Sequence, residues 1–237
     1  MRKVYILPIR ELKEPECFRL AAARVDSERL EKSKKYRMEA DRIRSIGAGL
    51  LIQYALVEEK RGSLEVPGDT TRWETVEVPS ILADIAFPVP IRYRYGLQGK
   101  PFFIEEDSRL YFSLSHSGNY VLCAVSHLDI GADIQEWEKI DNLEQLAKRF
   151  YTTAEQTELA AAPLDARERL FYRLWVRKEA YSKLTGLGIP DGIKADVRKS
   201  TTNIEWEEYH QFSGYEAAIC YNRDDFGKKR ILRCENC

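Results

Sequence analysis

The chain has 237 residues, 44% of them hydrophobic, enough for one large domain or two small ones. With 37 basic against 38 acidic residues the formal net charge is −1, so nothing in the overall balance demands nucleic acid or an anionic membrane as partner, and an anion site is confined to a local cluster. Charged residues interrupt every apolar run well short of a bilayer span. Cys17, Cys123, Cys220, Cys234 and Cys237 are odd in number and irregular in spacing, and no charged-then-apolar leader precedes them. A soluble protein of the reducing cytoplasm is expected. Cys234 and Cys237 have the gap of a metal or redox pair, but no second pair completes a zinc site.

In chain order, Val4-Tyr5-Ile6-Leu7 reads as a strand closed by Pro8, and the charged stretch from Cys17 to Arg37 as one helix. From Asp41 the apolar positions Ile43, Ile46, Leu50, Tyr54 and Val57 form one stripe of a helix reaching Lys60. Gly47 and Gly49 inside it imply close approach, either of backbone or ligand or of a packed neighbour. Residues 62 to 101 are rich in Gly and Pro and read as loops and edge strands, Ile91-Arg92-Tyr93 among them, ending in the turn Gly99-Lys100-Pro101. Residues 110–115 alternate, Gly118-Asn119 turns, Tyr120 to Val125 returns, and Ile130 to Gln135 follows after a second turn. The three are expected to pair as an antiparallel meander, with Asp133 and Gln135 on one face.

Helices follow Asn142. Thr152 and Glu155 match a capping box, Pro163 stops that helix, and Asp165 with Glu168 is expected to cap the longest one, which ends near Gly186. Val197, Ile204-Glu205-Trp206 and Ala217 to Tyr221 read as short strands. At about 100° per residue from Leu174, Leu170, Phe171, Tyr181 and Leu184 form the buried stripe, while Glu179 and Lys183 fall together off it, four residues apart and able to pair.

His116 sits at the turn leaving a strand between Ser115 and Ser117, a combination of donors suited to phosphate. Lys100, between a glycine and a rigid proline, would present a point charge on a fixed loop. Asp133 lies among Ile130, Ala132 and Ile134, where a carboxylate needs a metal or a base as partner; magnesium, with its preference for oxygen ligands, would suit it.

The ordered set Gly99-Lys100-Pro101, Phe112-Ser113-Leu114-Ser115-His116-Ser117, Gly131-Ala132-Asp133-Ile134 and Trp175 to Lys183 resembles the signature series of the 4'-phosphopantetheinyl transferases, in their larger Sfp-type branch. The resemblance covers most of residues 28 to 190. It implies an α+β, pseudo-twofold monomer of two similar halves, 1–127 and 128–237, each an antiparallel sheet packed against a long helix, with coenzyme A and magnesium in the cleft between them. Carried over by position, Lys32, Arg44, Ser45, Lys100, Pro101, Ser115 and His116 resemble coenzyme A contacts. Asp133 and Glu179 resemble magnesium ligands, Glu179 also the base for the acceptor serine of a carrier protein, and Lys183 a support for the pyrophosphate. Gln135 departs from the family pattern, which usually has a second acid there; its amide oxygen can still ligate or hold a metal-bound water, with one negative charge fewer.

Two other functions compete. One is a coenzyme A-binding protein without transferase activity. The other is a nucleic-acid-binding module using Arg29, Lys32, Lys34, Lys35, Arg37, Arg42 and Arg44, against which stand the interspersed Glu28, Glu31, Glu39 and Asp41 and the near-neutral total charge.

Overall fold

A strand buried on both faces reads as a continuous apolar run. In this computed structural model the run becomes strand β1, Arg2–Pro8. Val4 and Ile6 face one core, Tyr5 and Leu7 another. The structure describes residues 1–62, 70–86, 88, 93–95, 100–105, 108–188, 194–200 and 203–222. Gly99, Ile91, Arg92 and the Cys234/Cys237 pair lie outside them.

The charged stretch expected as one helix is two, α1 (Pro15–Ala22) and α2 (Ser27–Lys34). The break is set by Asp26, whose carboxylate accepts the Arg29 amide at 2.8 Å and so opens α2 as an N-cap. Helix α3, Glu39–Lys60, follows as expected, but its core is wider than a stripe: every residue from Ser45 to Leu56 is buried. Its glycines are there for packing. A side chain at 47 would press on Ile9, and one at 49 on Val25 and the stem of Arg29.

Strand β2 (Thr71–Thr75) pairs parallel with β1. The Gly- and Pro-rich region also holds a helix that was not expected, α4 (Val78–Asp84). Pro79 lies in its first turn, where a missing N–H forfeits no helical bond, and Val78 and Ile81 are buried. Strands β3 (Tyr93–Tyr95), β4 (Pro101–Glu105), β5 (Ser108–Ser117) and β6 (Tyr120–Ser126) run antiparallel to their neighbours. Among the described residues these strands form a six-stranded sheet in the order β2-β1-β6-β5-β4-β3.

The expected meander stops after two strands. Strand β7 (Ile130–Glu136) does not pair with β6; it begins a second, antiparallel sheet, β7-β9-β8, with β8 (Ile204–Tyr209) and β9 (Tyr215–Asn222). The reason is burial. Ile130, Ala132 and Ile134 close onto Val4, Ile6, Leu122 and Ala124 face to face, which pairing within one sheet would prevent.

Between the sheet strands lie α5 (Leu143–Phe150), α6 (Thr153–Ala161) and the long α7 (Leu164–Thr185). The capping box at Thr152 and Glu155 forms with both of its bonds. The one expected at Asp165 and Glu168 does not: α7 begins at Leu164 after Pro163, and Glu168 instead accepts the amide of Ile140. Val197 is buried in a loop rather than a strand, its amide bonded to Glu155. The result is layered, α3 on the six-stranded sheet, that sheet on the three-stranded one, and α7 on the far side. Helix α7 comes so close to β7 that a side chain at Gly131 would collide with the Ala180 carbonyl. Among the described residues no helix is long and apolar enough to cross a membrane.

Lys178 fastens α7 to α6. Its ammonium lies 2.8 Å from the Glu155 carboxylate, both side chains almost wholly buried, and it also donates to the Ala195 carbonyl. Removing one partner of such a pair strands the other charge in the interior. Lys178→Met is therefore expected to lower unfolding free energy by about 3–5 kcal/mol in urea denaturation, and Lys178→Met with Glu155→Met to recover much of that loss.

Candidate active site

Strand β7 is bonded to β9 along one edge, so the backbone groups of its other edge need partners elsewhere. Strand β5 supplies them from alternate side chains. The Ser113 hydroxyl accepts the Ala132 amide and the Ser117 hydroxyl the Glu136 amide, each at 2.9 Å. The four-residue spacing of these serines equals that of the two amides, two pleats of each strand, and sets how the two sheets meet. Two ammonium groups serve the same edge. Lys100 donates to Ile130 O at 2.8 Å and also to Leu184 O near the end of α7, and Lys183 donates to Ala132 O at 3.0 Å.

Between Ser113 and Ser117, Ser115 turns its hydroxyl to Asp133 Oδ1 at 2.6 Å. Asp133 is 1% exposed. Its Oδ1 also accepts Lys183 Nζ at 2.7 Å, and its Oδ2 accepts Gln135 Nε2 at 3.1 Å, so Asp133 and Gln135 do share a face. The pairing available to Lys183 along its own helix is thus replaced by an ion pair across to β7. Glu179, one turn earlier on α7, lines the same cleft. Burial raises its pKa above the usual carboxylate range, the Asp133 charge raises it further, and Lys183 opposes both.

The cleft has a volume of about 920 Å³ and brings together Lys32, Ser45, Lys100, Ser115, His116, Asp133, Gln135, Glu179 and Lys183. Arg44 is not among its lining residues; it lines a separate cavity of about 440 Å³ and is bonded to Asp41 and to the Gly118 carbonyl. Pro101 begins β4, but its side chain is outside the described set. Ser45 is 3% exposed, and its hydroxyl has no hydrogen-bond partner among the described residues. His116 is exposed at the cleft surface, yet the protein packed about it and the positive charges of Arg44 and Lys183 push its pKa below the ordinary histidine value. That shift favours the neutral ring over the charged donor expected from the sequence.

The cleft also contains Arg29, Tyr36, Trp175 and Ser182, which sequence reasoning did not select for the site. The signal for three of them was present as helical spacing. Arg29 lies one turn before Lys32 on α2, and Trp175 and Ser182 lie four before and three after Glu179 on α7. For Tyr36, beyond the end of α2, no periodic signal exists.

No group of three or more His, Cys, Asp or Glu side chains among the described residues could hold a metal ion. Asp133 and the Gln135 amide are bonded side by side, and Glu179 lines the same cleft near enough for the Asp133 charge to act on it; such oxygen donors suit a hard cation whose other positions are filled by ligand oxygens.

Residues 129–228, which hold Asp133, Gln135, Glu179 and Lys183, match the family model of the 4'-phosphopantetheinyl transferase superfamily. The 4'-phosphopantetheinyl transferase HetI of a Nostoc strain is 40% identical over 105 residues, 43% of this chain and 44% of HetI. Sfp of Bacillus subtilis is 32% identical over 149 residues, 57% of this chain and 65% of Sfp. AcpT of Escherichia coli O157:H7 is 35% identical over 143 residues, 60% of this chain and 71% of AcpT. The match thus spans less than half of HetI and just under two thirds of Sfp. With the α+β fold and this conjunction of sequence likeness, the chain belongs to the 4'-phosphopantetheinyl transferase superfamily, among relatives of the Sfp type.

The Ser115 bond joins β5 to β7 inside the core of the site. Ser115→Ala is expected to lower stability by about 1–3 kcal/mol, since a buried carboxylate loses a short donor. Urea denaturation checks it; an unchanged midpoint would show that Lys183 and Gln135 satisfy Asp133 without the hydroxyl.

Proposed function

We propose that the chain transfers the 4'-phosphopantetheine arm of coenzyme A to a serine of an apo acyl or peptidyl carrier protein, releasing 3',5'-ADP, in a magnesium-dependent reaction. The observation that carries the proposal is the meeting of Asp133, Gln135, Glu179 and Lys183 with Lys32, Lys100 and His116 in one cleft of about 920 Å³, a size suited to a cofactor. In this reading the halves are 1–127 and 128–237. It fits that every strand of the six-stranded sheet ends by Ser126 and every strand of the other begins at or after Ile130. The enzyme acts as a cytoplasmic monomer without nucleic-acid or membrane partners, in keeping with its near-neutral charge and the free thiols Cys123 and Cys220 in its interior.

The serine oxygen attacks the pantetheine-side phosphorus; a new P–O bond forms as the bond to the 3',5'-ADP oxygen breaks. Glu179 takes the serine proton, and its raised pKa makes it a stronger base than an ordinary carboxylate. Lys183, itself bonded to Asp133 Oδ1 and Ala132 O, would balance charge on the pyrophosphate through its remaining N–H, while Lys32 and His116 would hold the remaining phosphate groups. Lys100 acts more indirectly, because its ammonium is engaged with Ile130 O and Leu184 O and so steadies the cleft wall. Asp133, Glu179 and Gln135 would hold magnesium, which when bound supplies Lewis-acid compensation of the phosphate charge.

Incubation with coenzyme A, magnesium and a panel of apo carrier proteins tests the proposal through the mass gained by each carrier. No gain on any carrier, with coenzyme A still bound, would favour a binding protein without transferase activity. Glu179→Gln is expected to reduce kcat/KM by about 10²–10⁴-fold with folding retained, since the proton acceptor is lost while the side-chain volume stays. A folded variant with near-normal turnover would remove Glu179 from the role of base.

His116 yields a pH prediction. Burial and the charges of Arg44 and Lys183 lower its pKa in the free protein; a bound phosphate dianion would raise it again. Coenzyme A binding near pH 6.5 should therefore take up protons, the bound state holding more than the free state. Calorimetry in buffers of different ionisation enthalpy measures the uptake, which should shrink in His116→Gln. Equal uptake by both proteins would mean that the ring does not meet a phosphate.

A further inference from the structure

The donors around Asp133 differ in strength and in freedom to move. Oδ1 accepts two short bonds, from the Ser115 hydroxyl at 2.6 Å and from the Lys183 ammonium at 2.7 Å. Ser115 is a buried residue of a central strand, and Lys183 is tied as well to Ala132 O. Oδ2 accepts a longer bond from a neutral donor, the Gln135 amide at 3.1 Å. The orientation of that amide follows from chemistry: its NH₂ can face a carboxylate oxygen, whereas Oε1 would be repelled by it. Gln135 is only partly buried and lines the cleft, so its terminal torsion has room to turn.

We propose that Gln135 is a two-state positioning residue, its NH₂ holding Asp133 Oδ2 while no cation is bound and its amide rotating to offer Oε1 when a divalent cation enters. The proposal rests on the reading that Asp133 and Glu179 hold that cation. Oδ2 is the carboxylate oxygen that can be released, because the bond it gives up is the weakest of the three and no backbone has to move. The amide thereby does two things that a carboxylate at 135 cannot. It keeps a buried Asp133 fully hydrogen-bonded in the metal-free protein, and it makes cation entry compete with an internal bond. Glutamate at 135 would face Asp133 with like charge, weakening the metal-free state and strengthening the cation's hold.

The test is proton–nitrogen NMR of the full chain, with the Gln135 side-chain NH₂ pair assigned by its loss in Gln135→Leu. Magnesium chloride is titrated without coenzyme A. The pair is expected to exchange slowly with water at first, then to shift and exchange faster as magnesium saturates. In parallel, Gln135→Glu should melt below the wild type without magnesium and gain more in Tm when magnesium is added. An unchanged NH₂ pair, at magnesium concentrations that shift the backbone amides of Asp133 and Glu179, overturns the two-state role and leaves the cation site standing. If no resonance of Asp133 or Glu179 responds to magnesium, the cation reading falls and the role of Gln135 with it.

Discussion

The free edge of β7 resting on the serine face of β5 is the contact on which the rest of the cleft depends. A strand edge buried without partners would leave amides and carbonyls unsatisfied, each costing about as much as a lost hydrogen bond. Ser113 and Ser117 answer two amides, and Lys100 and Lys183 two carbonyls. Because these groups come from β5, from the residue leading into β4 and from α7, satisfying one edge brings the separate elements of the site to a common register. The collision that a side chain at Gly131 would cause shows how little room the arrangement leaves.

Charge is then distributed around Asp133. A buried carboxylate is tolerable because it has three donors, one of them cationic. Glu179 has no such company: burial and the nearby Asp133 charge disfavour its ionised form, and only Lys183 is set against them. The two carboxylates therefore differ in kind, one bonded to three donors and the other with its pKa raised by burial and by the charge of the first. Lys178, next in sequence to Glu179, turns instead into a buried pair with Glu155, so the same helix turn anchors α7 to α6 and lines the cleft.

Much of this was readable along the chain. The alternation of residues 110–115, the capping box at Thr152, the end of α7 at Gly186 and the shared face of Asp133 and Gln135 are local consequences of backbone period and turn chemistry, and the structure has them all. The family motifs pointed to nine residues of one cleft. Local pattern misled where two outcomes were equally compatible with it. Asp165 and Glu168 match a capping box, but Glu168 had a better partner in the Ile140 amide, and α4 hid in a region whose prolines read as breakers although Pro79 suits a first turn.

What the sequence by itself determined is which residues form strands and helices and which side chains share a face, since those follow from neighbours within a few positions. Only the tertiary structure decided that β7 leaves β6 to open a second sheet, that Lys183 reaches Asp133 fifty residues away, that Arg44 falls outside the cleft, and that the serines flanking His116 bind the protein's own β7. The physical reason is that such pairings compete with alternatives of similar local energy, and the competition is settled by how two apolar sheet faces close on each other and which polar groups that closure leaves in need of a partner.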